Sequence, residues 1–161
     1  MQVEMSITAL MVDATTNTPI VILRERGGQR VLPISVGIFE ANAIVIQIEN
    51  ISVPRPMTHD LLRNIIRDLK ADVQKVVVSD LKEGTFYAVI HLIVGGELVA
   101  VDARPSDAIA LALRVRAPIF AEDTVLDNAK QLDVSLDTGD SERLQKWLEA
   151  IDPDELGKYK M

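Results

Sequence analysis

The sequence contains no cysteine among its 161 residues. Disulfide bonds, thiolate metal ligands and a cysteine nucleophile are therefore excluded. Aromatic residues are also scarce, with three Phe, two Tyr and one Trp. The core is expected to be aliphatic, and the sequence offers no aromatic platform on which nucleic-acid bases would stack.

Long apolar runs and export signals are missing as well. No segment reaches the roughly 20 apolar residues that a membrane helix needs. The first five residues lack the basic start and the small-residue cleavage site of a secretory signal. We therefore predict a cytoplasmic protein that does not bind a membrane.

The basic residues form no large patch, and the formal net charge is −7. Proteins that bind nucleic acid through its backbone usually present a basic surface. The nearest approach to one is Arg24, Arg26 and Arg30 around a Gly-Gly turn. Any nucleic acid is therefore expected to bind locally, or through a divalent metal that offsets the acidic residues.

Two common catalytic motifs are also absent. Gly27-Gly28 and Gly95-Gly96 are typical of hairpin turns, and neither belongs to a phosphate-binding glycine loop. No Gly-x-Ser-x-Gly elbow occurs, which removes the usual hydrolase serine from consideration.

The residues that are present indicate a globular α+β protein. Hydrophobic residues make up 48% and charged residues 25%, and this length suits one compact domain. We predict that residues 1–135 form this domain and that residues 136–161 form a C-terminal helix and tail.

Alternating and helical patterns together predict a two-layer fold, with helices packed on a mainly antiparallel sheet. The predicted strands are Val3–Val12, Ile20–Arg24, Val31–Val36, Val73–Leu81, Thr85–Val94, Glu97–Ala103 and Pro118–Ala121. Helical spacing follows Gly37, runs through Leu61–Leu69, and recurs at Ala108–Leu113, near Glu122–Leu132 and near Ser141–Ile151.

Two segments at helix starts resemble each other, which suggests an internal duplication. They are Arg55-Pro56-Met57-Thr58-His59-Asp60 and Arg104-Pro105-Ser106-Asp107. A structural interpretation makes Thr58 and Ser106 the N-caps, with each aspartate in the first helical turn. Each arginine would then pair with the aspartate of its own segment. The alternative interpretation is a polar functional site.

The segment Ala108–Leu113 is apolar on every face. One side of a sheet cannot cover such a helix. Either the helix lies deep between layers or its outer face meets another subunit. We expect the second, and so predict a homo-oligomer, either a dimer or a trimer.

Three segments and the C-terminal tail resemble the bifunctional nuclease domain family, in the family's order and spacing. They are Leu32–Ile44, Arg55–Asp60 and Val101–Ala112, together with Trp147-Leu148 and Gly157–Tyr159. The resemblance implies an α+β fold, self-association, and degradation of both RNA and DNA.

The residues in these segments include candidates for metal-assisted phosphodiester hydrolysis. Carboxylates hold Mg²⁺ or Mn²⁺, a histidine can act as base, and arginine can bind phosphate through two hydrogen bonds. The candidate metal ligands are Glu40, Asp60, Asp102 and Asp107. The candidate catalytic residues are Arg55, His59, Asp60, Asp102, Arg104 and Asp107. Helix capping explains Asp102 least, because it precedes the proline.

Two functions therefore stay open at this point. The first is a nuclease of low sequence specificity, dependent on a divalent metal, that acts on RNA and DNA. The second is a non-catalytic homo-oligomeric module that binds a small ligand or a protein. Convergence of the four carboxylates in an open cleft would favour the first function. Pairing of each carboxylate with an arginine, or with its own helix, would count against it.

Overall fold

The structure, a computed structural model, describes residues 1–129. Its elements in chain order are β1 (Gln2–Val12), β2 (Pro19–Glu25), β3 (Val31–Ser35), α1 (Ile38–Ile48), α2 (Thr58–Asp68), β4 (Ala71–Lys82), β5 (Thr85–Val94), β6 (Glu97–Ala103), α3 (Pro105–Val115), β7 (Ile119–Glu122) and α4 (Asp123–Asn128). All seven predicted strands are present, with ends that differ by at most two residues. The predicted helix near Ser141–Ile151 and the domain boundary after residue 135 lie outside the described residues.

The strands form one seven-stranded sheet in the order β3-β2-β1-β7-β4-β5-β6. Strands β1 to β3 make one antiparallel meander and strands β4 to β6 make a second. The short strand β7 joins them, running antiparallel to β1 and parallel to β4. The fold class is therefore α+β, as predicted.

The hydrophobic core lies between the helices and one face of this sheet. Because residues opposite each other in paired strands point to the same face, Val76 and Val78 of β4 share a face with Ile119 and Ala121 of β7. All four are buried, and they belong to one apolar cluster with residues of α1 and α3. The helices thus cover this face of the sheet, as a two-layer arrangement requires.

Helix α3 is buried within its own subunit. Ala108 to Ala112 are each at most 1% exposed, since α1 and α2 flank the helix and strands β4 and β5 lie beneath it. The apolar outer face that led us to predict an oligomer is therefore covered by other helices of the same chain. None of the helices in residues 1–129 is long and apolar enough to cross a membrane.

The two meanders follow the same plan, but the two Arg-Pro segments do not occupy equivalent places in it. Strand β3 leads into α1 and strand β6 leads into α3. Arg104-Pro105 lies at the start of α3, whereas Arg55-Pro56 precedes α2, which comes after α1 and has no counterpart in the second half as far as residue 129. The structural equivalent of the Arg104 segment is therefore the start of α1, at Gly37–Glu40.

Candidate functional site

Three helices begin with a carboxylate at their third residue. These residues are Glu40 of α1, Asp60 of α2 and Asp107 of α3. A negative charge in the first turn is stabilised by the helix dipole. The three acids that the sequence analysis selected as metal ligands from helix starts thus share one local structural role.

The predicted N-caps were wrong. Met57 and Arg104 occupy the cap positions, so Thr58 and Ser106 are the first and second residues of their helices. Pro105 takes the first position of α3, where its fixed φ suits the helix and its missing N–H costs nothing. In α2 the Met57 N–H donates to Asp60 Oδ2 at 3.0 Å, which satisfies a donor at the helix start.

Four side chains from all three helix starts form a continuous hydrogen-bonded chain, which we call the polar cluster. It consists of Glu40, His59, Arg104 and Asp107. Arg104 donates from Nε to Asp107 Oδ2 at 2.9 Å and from Nη2 to Glu40 Oε1 at 2.8 Å. The second oxygen of Asp107 lies 2.9 Å from His59 Nε2. The arginine thus bridges two carboxylates, and one of these also fixes the histidine ring.

The polar cluster changes from buried to exposed along its length. His59 is only 7% exposed, whereas the Arg104 side chain is 66% exposed. The hydrogen bonds that Arg104 donates to Asp107 and then to Glu40 raise the pKa of Arg104 above its usual value, so the guanidinium stays charged. Its hydrogen bonds within residues 1–129 use Nε and Nη2, which leaves Nη1 available to an anion approaching from solvent.

Gly37 provides the space that Glu40 needs to reach Arg104. The carboxylate of Glu40 folds back against the Gly37 backbone, so that Glu40 Oε2 would collide with any Cβ at position 37. Gly37 has an ordinary extended conformation, with φ −67° and ψ 156°. Glycine here therefore makes room for the Glu40 carboxylate and is not needed for the backbone conformation.

A buried ion pair fastens α2 to α3 beside the cluster. Arg114 Nε donates to Asp60 Oδ1 at 2.7 Å, and Arg114 Nη1 donates to the Ala110 carbonyl at 2.9 Å. The Arg114 side chain is 1% exposed. Burial raises the pKa of Asp60, but the bonds from Met57 and Arg114 outweigh it, so the pKa lies below its ordinary value. The Asp60 carboxylate is therefore charged and bonded within the fold, to the Met57 N–H and to Arg114.

The sequence analysis missed Arg114. It predicted that Arg55 would pair with Asp60, and this was wrong because Arg114 is the partner. The available signal was an arginine directly after the apolar run Ala108–Leu113, because an arginine carried by a covered helix needs a buried acid. The parallel prediction that Arg104 pairs with Asp107 is confirmed.

Two predicted site residues do not join the polar cluster. Arg55 is exposed in the loop before α2, and Asp102 is exposed on β6 opposite Val89. Neither takes part in the side-chain hydrogen bonds or ion pairs found among residues 1–129. The structure brings together Glu40, His59, Arg104 and Asp107, and it places Asp60 in a separate pair.

The four predicted metal ligands do not form one donor set. Glu40 and Asp107 both bind Arg104, Asp60 binds Arg114, and Asp102 stands apart on β6. Across residues 1–129 no three His, Asp or Glu side chains are placed to hold a common metal ion. A divalent ion prefers several oxygen ligands at once, so this arrangement does not fit the predicted magnesium or manganese site.

Two of the three arginines in the other candidate for anion binding are paired with acidic residues. Of the basic residues around the Gly27-Gly28 turn, Arg26 pairs with Glu4 at 3.0 Å. Arg30 binds Glu25 and Asp123 at 2.9 and 3.0 Å, and the Arg30 contact lowers the pKa of Glu25. These ion pairs link the β2–β3 turn to Glu4 of β1 and Asp123 of α4. Arg24 is exposed and takes part in none of the side-chain ion pairs found among residues 1–129. Arg104 differs from these arginines in its link, through Asp107, to the buried His59.

Comparison with known proteins places the chain in a family. A model of the bifunctional nuclease domain matches residues 21–133, more than half of the chain. These residues include all four members of the polar cluster. The chain belongs to the bifunctional nuclease domain family, which confirms the resemblance found in the sequence.

Individual relatives differ in how much of them the chain matches. An uncharacterised protein of Mycobacterium tuberculosis is 35% identical over 95% of this chain and 97% of its own length. Bifunctional nuclease 1 of Oryza sativa subsp. indica is 27% identical over 66% of this chain, and bifunctional nuclease 2 of Oryza sativa subsp. japonica is 30% identical over 63%. The chain spans about a third of the length of these two plant proteins.

Proposed function

We propose that this protein is a nuclease of low sequence specificity that hydrolyses phosphodiester bonds in RNA and DNA. The observation that carries the proposal is the polar cluster, in which an exposed arginine is linked through one aspartate to a buried histidine. Membership of the bifunctional nuclease domain family supports the same reaction class.

Each member of the cluster has a distinct role in the proposed reaction. Arg104 binds the scissile phosphate through the outer edge of its guanidinium, which suits phosphate geometry. Asp107 accepts the Nε2 proton of His59, and this leaves Nδ1 as the proton acceptor. As a water oxygen bonds to phosphorus and the bond to the leaving oxygen breaks, His59 Nδ1 takes the water proton and the leaving oxygen takes a proton from solvent water. Glu40 holds Arg104 in place.

Dependence on Mg²⁺ or Mn²⁺ stays a prediction, as does the cytoplasmic location. Since the four carboxylates do not form one donor set in residues 1–129, no step of the proposed reaction is assigned to a metal. Assays in EDTA and with each ion added back will test the prediction directly.

The experiment that tests the nuclease proposal uses the two histidines of the chain. Highly purified wild type, His59→Gln and His91→Gln are assayed on labelled RNA and on labelled DNA. His91 lies on β5 opposite Ala100, away from the polar cluster. We expect His59→Gln to lose about 100-fold in rate, as for loss of a general base, and His91→Gln to match wild type.

Two outcomes would count against the proposal. Equal rates in all three proteins would indicate a contaminating nuclease. Absence of cleavage by wild type, with and without Mg²⁺ or Mn²⁺, would show that the protein does not hydrolyse RNA or DNA. In both cases the second function becomes the better interpretation.

The second candidate is a non-catalytic homo-oligomeric module that binds a small ligand or a protein. It is favoured by exposed apolar residues on the sheet edge and on α2. Leu98, Val99 and Val101 of β6 are exposed, although edge strands are usually protected from pairing with other chains. Leu61 and Ile65 of α2 are exposed as well. This surface suits a second copy of the chain, with β6 pairing antiparallel to its equivalent.

The mass of the particle in solution tests this second candidate. We expect light scattering to give a dimer or a trimer for wild type and a smaller particle for Val99→Lys, because a charge in the middle of β6 opposes strand pairing. Glu83→Lys, in the β4–β5 turn, is the control and should leave the mass ratio unchanged. A wild-type monomer at high concentration would contradict self-association.

A further inference from the structure

Helix α2 is held in place with little help from apolar packing. His59 is the one residue of the helix that is buried, and Ile66 packs half-buried against the core. The apolar side chains of Leu61, Leu62 and Ile65 are exposed. Since burial of an apolar face is what usually fixes a helix on a domain, the position of α2 depends largely on the polar contacts of its first turn.

Two successive residues of this first turn bind α3 at two separate turns. His59 Nε2 lies 2.9 Å from Asp107 Oδ1, at the start of α3. Asp60 Oδ1 accepts a hydrogen bond of 2.7 Å from Arg114 Nε, in the last turn of α3. One contact alone would let α2 pivot about it. Contacts from adjacent residues to both turns of α3 prevent α2 from rotating or sliding against it.

The geometry of the buried pair gives it the rigidity that this task needs. Arg114 donates from Nε to Asp60 and from Nη1 to the Ala110 carbonyl, so the planar guanidinium spans two acceptors in fixed directions. The other carboxylate oxygen of Asp60 accepts the Met57 N–H. Both oxygens of the acid are therefore bonded, and the residue beside His59 has a fixed orientation.

We propose that Arg114 is a positioning residue that acts through Asp60 on the neighbouring His59. This inference rests on the proposed function and adds a residue to the same site. The Arg114 side chain is buried, so it acts on the reaction only through the side chains that it binds. Displacing a reacting group by about 1 Å can cost roughly 100-fold in rate, so a residue that fixes the histidine ring contributes without touching the substrate.

The competing interpretation is that the ion pair only stabilises the folded state. The double variant Asp60→Asn/Arg114→Met separates the two interpretations, because it removes both charges and leaves no buried ion without a partner. Replacing a whole buried ion pair in this way is often neutral for stability. Arg30→Met is the matched control, since it breaks a partly buried arginine pair on the β2–β3 turn, away from the polar cluster.

The first measurement follows the histidine ring and needs no activity. Imidazole NMR spectra of the isotope-labelled full chain, at an alkaline pH where the ring is neutral, distinguish protonation at Nε2 from protonation at Nδ1. The chain has two histidines, so His91→Gln assigns the signals. We expect wild type and Arg30→Met to show His59 protonated at Nε2, as its contact with Asp107 requires, and the double variant to show a mixture of both forms. An unchanged His59 signal in the double variant would overturn the proposal.

The second measurement removes the pair in two backgrounds and compares rates on RNA. In the wild-type background we expect kcat to fall about tenfold with KM unchanged. In the His59→Gln background we expect no further loss, because the effect of the pair passes through His59. A purely structural role would lower the rate by the same factor in both backgrounds, and that result would overturn the proposal.

The two measurements distinguish failure of this inference from failure of the proposed function. A wild type that cleaves nothing contradicts the proposed hydrolysis, and the NMR signal of His59 then decides whether Arg114 positions the ring. A wild type that cleaves, together with a double variant whose His59 signal and rate are unchanged, contradicts the role of Arg114 and leaves the hydrolysis standing.

Discussion

The two halves of the molecule have the same plan but contribute different chemistry. Each has a three-stranded meander followed by a helix with a carboxylate at its third residue, Glu40 in the first half and Asp107 in the second. The residue at the N-cap differs, because the first half has Gly37 where the second has Arg104. One arginine therefore serves the carboxylates of both halves, and the polar cluster lies where the two halves meet.

The first half also has an element with no counterpart in the part of the second half that ends at residue 129. Helix α2 follows α1 and brings His59 to Asp107. It is fastened by the buried Asp60–Arg114 pair, while the rest of its surface is largely exposed. Glu40 and Asp107 therefore occupy equivalent positions in the two halves. His59 lies on α2, and Arg104 lies at an N-cap where the first half has Gly37, so neither belongs to the repeated plan.

The largest expected effect follows from replacing the arginine that both halves share. Arg104→Gln should lower the nuclease rate about 1,000-fold, because it removes the charge that stabilises the phosphate in the transition state. Steady-state rates on RNA and DNA measure the loss. Arg67→Gln is the control, since Arg67 is similarly exposed and forms a surface pair with Asp68. Equal rates for both variants would show that the polar cluster is not the active site.

The next effect concerns the attachment of α2. Asp60→Asn should lower the free energy of unfolding by about 3 kcal/mol, because it leaves Arg114 charged and buried without its partner. Arg67→Gln should change it by less than about 1 kcal/mol. Denaturant unfolding gives both values, and similar losses for the two variants would mean that the buried pair does not hold α2.

The pH dependence of this pair has a defined sign. The folded state lowers the pKa of Asp60, so the stabilisation is present above the ordinary carboxyl range and is lost as the pH falls through the lowered value. The difference in unfolding free energy between wild type and Asp60→Asn should therefore shrink below about pH 4. A difference that stays constant down to pH 2 would contradict the assignment.

A smaller effect compares the two equivalent carboxylates. Asp107→Asn should lower the nuclease rate about 100-fold, because Asp107 both orients His59 and binds Arg104. Glu40→Gln should cost about tenfold or less, since it loosens only the arginine and the amide oxygen can still accept a hydrogen bond. Rates for the two variants, measured side by side, test the asymmetry. A larger loss of rate for Glu40→Gln than for Asp107→Asn would indicate that the contact between Asp107 and His59 does not contribute to the rate.

The smallest expected effect is at the N-cap of the first half. Gly37→Ala displaces the Glu40 carboxylate, which is the end of a flexible side chain, so the rate should fall less than it does in Glu40→Gln. The free energy of unfolding should change by less than about 1 kcal/mol, because the backbone there suits alanine. A rate below that of Glu40→Gln would show that Gly37 has a role beyond making space.

Much of the fold was predictable because local patterns report local structure. Strands Thr85–Val94 and Glu97–Ala103 were placed correctly, since alternation and the intervening Gly95-Gly96 turn are short-range signals. The start of α3 was placed two residues late because Ser106 was taken as the N-cap, whereas Pro105 and Ser106 are the first two residues of the helix. The N-caps were wrong for a related reason, because the short-range signals did not fix the residue at which each helix begins.

The candidate site was predictable in its members but less so in its contacts. Glu40, His59, Arg104 and Asp107 were all selected from the sequence, yet only the Arg104–Asp107 pair lies within one segment. His59 is 48 residues from Asp107, and Glu40 is 64 from Arg104. Such contacts depend on how α1, α2 and α3 pack together, and no short-range pattern encodes that packing.

The sequence by itself determined the α+β fold class, the family and the residue types available for chemistry. Periodicity and motif spacing can be read from the sequence without knowing any long-range contact. Only the tertiary structure decided which acid meets which arginine. Packing buried Arg114 beside Asp60 and placed Arg104 between Glu40 and Asp107, so that charge neutralisation between elements, rather than spacing along the chain, set the arrangement of the site.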